Sequence, residues 1–216
     1  MNVFKSLTKR YIVIMPVLLV LVVAQVETYS QLTTSGTFGA AVRLAIPILL
    51  AGLGGLYSEK TGIVNIGLEG MMIMGTWFGA WGGYTFGAWQ GVFIGMLGGA
   101  LFGLIHAIAT VSFQVDHIVS GVAINILAAG VARFLNVIAY DGVPYASSTA
   151  SPRIQGDIGI FTMPFLAGGK IGETDTFNLL GSLENLDLFL VSDFAGLLLG
   201  FVSNVSYLTL FALALV

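Results

Sequence analysis

Residues 91–103 read GVFIGMLGGALFG. Glycines stand at 91, 95, 99 and 103, and Ala107 extends the row. Four-residue spacing places them on one stripe of a helix. In water so much glycine would weaken a helix. In a bilayer it lets a second helix approach closely. The surrounding residues are apolar from about Gln90 to Val111, near the roughly 20 residues that cross a bilayer. Residues 90–111 therefore read as a membrane span built to be packed against, with Gly91, Gly95, Gly99 and Gly103 as helix-packing positions. A looser row, Gly75, Gly79 and Gly83, lies in the preceding segment.

The rest of the composition agrees. The chain has 216 residues, 56% hydrophobic and 9% charged, where a soluble domain carries about 25% charge. Net charge is −3 without a basic stripe, which excludes nucleic acid as a partner. There are no cysteines, hence no disulfide, thiolate nucleophile or cysteine metal site. His106 and His117 are too few and too isolated for a metal cluster, so no metal is expected.

Apolar runs divide the chain into about six spans, expected at 11–26, 38–57, 62–81, 90–111, 116–140 and 194–216. The predicted fold is all-α, a single polytopic transmembrane domain over residues 1–216, with a broken or re-entrant helix near 58–70. Lys5, Lys9 and Arg10 precede the first run and predict a cytoplasmic N-terminus. Residues 82–89, with Tyr84, Phe86 and Trp89, read as a turn or interfacial belt. Residues 141–193 form a polar, acidic segment, expected as an extracytoplasmic loop. The chain stops within its last apolar run, so the expectation is a piece of a longer protein.

Nucleotide-hydrolysing chemistry finds no motif. The only Gly-Lys is Gly169-Lys170, and the phosphate-loop pattern fails at Pro164 and Ile171. No HExxH or GxSxG occurs. The chain reads as a non-enzyme.

Residues 62–70, GIVNIGLEG, interrupt the apolar pattern. A carboxylate in such a segment is costly unless used or satisfied. On a continuous helix Asn65 and Glu69 would share a face. Glu69 is open to three readings: support of backbone freed by Gly67 and Gly70, contact with substrate, or gating. In the fifth span Gly121, Asn125, Ala129, Arg133 and Asn136 form a small-and-polar stripe that should face protein or water. Asn125 could bond a neighbouring helix or a substrate hydroxyl or base edge. Asp116 opens this span where an acid caps a helix. The tryptophans read as interface anchors.

The run Gly54-Gly-Leu-Tyr-Ser-Glu-Lys-Thr-Gly-Ile-Val-Asn-Ile-Gly-Leu-Glu-Gly-Met-Met72, with Asp116-His-Ile-Val-Ser-Gly-Val-Ala-Ile-Asn125, resembles bacterial ABC importer permeases for nucleosides and simple sugars. These are related to the branched-chain amino acid and ribose permeases. The resemblance covers about residues 35–140, and His117 stands where it calls for Gln. It implies alternating access in the cell membrane with a second permease subunit, cytoplasmic ATPase subunits that carry ATP and Mg, and an external substrate-binding protein or lipoprotein. No cofactor is expected on this chain itself. Substrate-path candidates are Asn65, Glu69, Ser120 and Asn125. The rival expectation is an ion-coupled secondary transporter with Glu69 as its ion or proton site.

Overall fold

The computed structural model describes Pro16 and residues 34–154, 156–186 and 191–215. The expected first span, 11–26, and the basic N-terminus lie outside these apart from Pro16.

The described chain is helical. Helix α1 is Ser35–Lys60, α2 is Leu68–Phe86 and α3 is Ala88–Ala107, continued by a π-turn at Ile108–Ser112. Helix α4 is His117–Ala139. The connecting segment holds strands β1 (Ile160–Phe161), β2 (Lys170–Ile171) and β3 (Thr174–Asp175), then α5 (Leu179–Glu184). Helix α6 (Val191–Val202), strand β4 (Val205–Ser206) and α7 (Tyr207–Leu215) complete the order. Among the described residues, Ser35–Lys60, Ala88–Ser112 and His117–Ala139 are long and apolar enough to cross a membrane.

The chain forms two compact units, one of Pro47–Ile158, the other of Met1–Ile46 with Gly159–Leu215. In the first, α2 lies between α3 and α4 around Met74, Phe102, Ile124 and Ala128. The α2–α3 contact is glycine on glycine. A Cβ on Gly91 would stand 2.7 Å from the Gly79 oxygen and the Gly83 Cα. One on Gly95 would stand 2.9 Å from the Gly75 oxygen. Gly99 has more room, with its nearest neighbour at 3.5 Å, and Gly103 meets only the Met71 sulfur at 3.8 Å. Such backbone-to-backbone approach is what small residues permit in a membrane.

The turn expected at residues 82–89 shrinks to one residue. Gly82 and Gly83 are helical and buried, against Ile94 and Ile154 respectively. The chain reverses at Gly87 alone, whose φ of 111° suits glycine. Glycine at 82 and 83 thus serves close packing rather than a turn.

In the second unit, Ala167, Leu180, Ala195 and Leu199 make the core. Glu184 accepts a hydrogen bond from the Ser35 N–H at 2.9 Å, capping α1. The expected continuous sixth span is interrupted at Ser203–Asn204, where Asn204 has φ 50° and donates its N–H to Thr162 Oγ1 at 3.0 Å. Strand β4 then pairs antiparallel with β1, Ile160 opposite Ser206. The backbone groups released by the break are taken up by the preceding segment.

The glycine contact yields an internal comparison. Gly91→Ala is expected to destabilise the α2–α3 pair by about 1–3 kcal/mol, because backbone must move to admit the methyl. Gly99→Ala is expected to stay within about 0.5 kcal/mol of wild type. Thermal unfolding in detergent checks both.

Candidate functional site

Helix α1 ends at Lys60 and α2 starts at Leu68, so residues 61–67 form the expected break. Thr61 and Gly62 turn back onto the Ser58 and Glu59 oxygens, and Ser58 Oγ donates to the Ile63 oxygen at 2.8 Å. Asn65 lies in the break, not on the helix, so it does not share a helical face with Glu69. Its Oδ1 accepts from the Gly67 N–H at 3.0 Å, and its Nδ2 donates to the Met71 sulfur at 3.5 Å. Asparagine makes such local turns readily.

Asn125, on α4, closes the break from outside. The Gly70 N–H donates to Asn125 Oδ1 at 2.7 Å, and Asn125 Nδ2 donates to the Ile66 oxygen at 3.1 Å. One amide thereby satisfies a backbone donor and a backbone acceptor on either side of the α2 start. The contact requires glycine. A Cβ on Gly70 would stand 2.7 Å from the Ile124 oxygen, and one on Gly121 would stand 2.8 Å from the Gly67 nitrogen.

These bonds leave Glu69 out. Its carboxylate caps no described backbone group and makes no hydrogen bond or ion pair with any described residue. The side chain is exposed, in the first turn of α2, where the helix dipole favours an anion. It opens on a groove of about 380 Å³ lined also by Thr76, Trp77, Asn136, Thr149 and Ser151. Glu69, Thr76, Trp77 and Ala80 recur at helical spacing, so one face of α2 forms its floor.

Trp77 is fixed within this groove. Its Nε1–H donates to Asn136 Oδ1 at 2.8 Å, and Asn136 Nδ2 donates to the Ser148 oxygen at 3.3 Å. Trp81 lies parallel to it, ring centres 6.2 Å apart. The expectation that the tryptophans are interface anchors does not describe Trp77, because Asn136 turns its polar edge into the protein. Asn136 on the polar stripe was the available signal; the partners Thr149 and Ser151 are too far along the chain for spacing to find.

Ser120 is buried and lines neither this groove nor the hollow beside Asp116. Its Oγ is 2.9 Å from His106 Nδ1, joining α4 to α3. His106 Nε2 is buried without a partner among the described residues. Asp116 caps α4, its Oδ1 accepting from the N–H groups of Ile118 at 2.9 Å and Val119 at 3.0 Å. A second hollow, about 490 Å³, lies beside this cap and is lined by Val64, Ile66, Thr110, Gln114 and His117. Arg133 is exposed and lines neither the groove nor this hollow. Among the described residues no group of acidic or histidine side chains could hold a metal ion.

Helices of membrane-spanning length, with a broken segment between α1 and α2, define an α-helical membrane protein. The chain belongs to the family described as branched-chain amino acid transport system / permease component, whose sequence profile matches residues 37–167. It is 41% identical over 147 residues to the guanosine ABC transporter permease protein NupQ of Bacillus subtilis, covering 64% of this chain and 45% of that protein. It is 36% identical over 141 residues to the nucleoside ABC transporter permease protein NupC of Lactococcus lactis, covering 60% and 42%. The chain thus spans less than half the length of these curated relatives. No solved structure matches it.

Replacing Asn125 tests the closure of the break. Asn125→Leu leaves the Gly70 N–H and Ile66 oxygen without their partner and is expected to cost about 2–6 kcal/mol, twice the penalty of one unsatisfied group. Asn125→Asp keeps the acceptor for Gly70 but sets a carboxylate oxygen against the Ile66 oxygen, so stability is expected to fall while the Gly70 amide stays protected. Thermal unfolding, with hydrogen exchange at the Gly70 amide, reads the two apart.

Proposed function

We propose that this chain is part of a membrane-spanning permease subunit of an ATP-driven importer for nucleosides or simple sugars. The observation that carries the reading is the groove floored by α2. An exposed carboxylate, unpaired among the described residues, with two hydroxyl-bearing residues from the 149–151 segment is incompatible with lipid contact and suits a path for a polar solute. The names of the relatives support an ABC partnership and a nucleoside cargo.

On this reading the path lies between this subunit and a second permease. ATP and Mg bind to cytoplasmic ATPase subunits, and this chain transmits their cycle as alternating access without catalysis of its own. An external binding protein or lipoprotein delivers the solute, and residues 141–193 face it. The N-terminus lies in the cytoplasm. Glu69 contributes to the path directly. Asn65 and Asn125 contribute by holding the α2 start in place, and Ser120 by joining α3 to α4.

Uptake of labelled nucleosides by cells carrying the complete transporter tests the reading. Uptake is expected to stop on ATP depletion and on loss of the ATPase partner, and to persist when ionophores collapse the proton and sodium gradients. Uptake that survives ATP depletion and fails with the ionophore would contradict it.

A further inference from the structure

If the groove is the path of an importer, a reading on which the proposed pose rests, its chemistry selects among polar solutes. Glu69 is an acceptor without a donor among the described residues, so a ligand must bring donors to it. Among the described residues no Lys, Arg or His lines the groove. A phosphate would meet Glu69 with no counter-charge, which disfavours nucleotides and sugar phosphates, and an amino acid whose ammonium paired with Glu69 would leave its carboxylate without a cationic partner in the groove. At the other end stands Trp77, held in one orientation by Asn136. A fixed indole offers a flat apolar surface at little entropic cost. Glu69 and Trp77 are eight residues apart on α2, about 12 Å along the axis. A single sugar ring fills only part of that distance, whereas a nucleoside reaches from its ribose diol to its base. A volume of about 380 Å³ lies in the usual range of small-molecule sites, roughly 300–1,000 Å³.

We propose that the groove takes an uncharged ribonucleoside lengthwise, Glu69 accepting hydrogen bonds from the 2′ and 3′ hydroxyls and Trp77 meeting the base. Thr149 and Ser151 lie where they can bond the heteroatoms of the base edge, and because a hydroxyl both donates and accepts, they tolerate more than one base. Specificity in the groove therefore resides in the diol rather than in the identity of the base.

The test is equilibrium binding of labelled guanosine and of 2′,3′-dideoxyguanosine to the permease–ATPase complex purified without its binding protein, so that the binding protein's own selection does not intrude. Wild type is expected to prefer the ribonucleoside by about tenfold or more, the scale of hydrogen bonds to a charged acceptor. Glu69→Gln is expected to remove most of that preference while leaving the dideoxy compound's affinity within about twofold, and Glu69→Asp to retain part of it. Trp77→Ala is expected to weaken both compounds alike. Because Glu69 makes no hydrogen bond or ion pair with any described residue, Glu69→Gln should assemble normally, and size-exclusion chromatography of the complex checks this. An unchanged preference in Glu69→Gln, or no binding by wild type in the millimolar range, overturns the proposed pose. If such complexes still import nucleosides with ATP, the importer reading stands. If wild type imports no nucleoside at all, that reading falls as well.

Discussion

The structure of the Pro47–Ile158 unit depends on how the backbone is satisfied where α2 begins. A helix start in a membrane exposes N–H groups that lipid cannot partner. Here the side chain of Asn125 reaches from α4 to take the Gly70 N–H and give a hydrogen to the Ile66 oxygen. That bond is short because Gly67, Gly70 and Gly121 let the two backbones meet. Further along α2, Gly75, Gly79 and Gly83 do the same against α3. With one stripe given to α3 and another to α4, the remaining face of α2 is left to carry Glu69, Thr76 and Trp77 into the groove.

This arrangement separates two tasks that the sequence places side by side. Asn65 and Asn125 are engaged with backbone, and Glu69 is not. An amide suits the first task, since it donates and accepts at once without charge. A carboxylate suits the second, because outside a membrane-spanning face open to polar solute it would be a liability. Ser120, with His106, belongs to the packing of α3 and α4.

The helical membrane fold was legible in composition and in apolar length, and the glycine row at 91–103 marked the helix that α2 packs against. The break before Glu69 was legible in Gly62, Gly67 and Gly70. Less legible was which function each glycine serves. Gly82 and Gly83 read as a turn and are helical, since close packing and reversal use the same residue; only the contact with Ile94 and Ile154 separates them. The interruption at Ser203–Asn204 was hidden because the run remains apolar on both sides, and its support comes from Thr162, more than forty residues earlier in sequence. Trp77 passed for an interface residue for the same reason: its partner Asn136 lies on another helix.

The central claim is that the Glu69–Thr76 face of α2 borders water and solute rather than lipid. These 216 residues hold no cysteine, so a single one can be introduced here once any cysteine elsewhere in the transporter has been replaced by serine. In the complete transporter in membranes, Thr76→Cys should react with a membrane-impermeant, water-soluble maleimide, with access from both sides provided in inverted and right-side-out vesicles. Phe93→Cys, on the exposed apolar side of α3, should stay unmodified. Nucleoside should slow the reaction at position 76. An inert Thr76→Cys beside normal transport, or equal reactivity at both positions, would contradict the account.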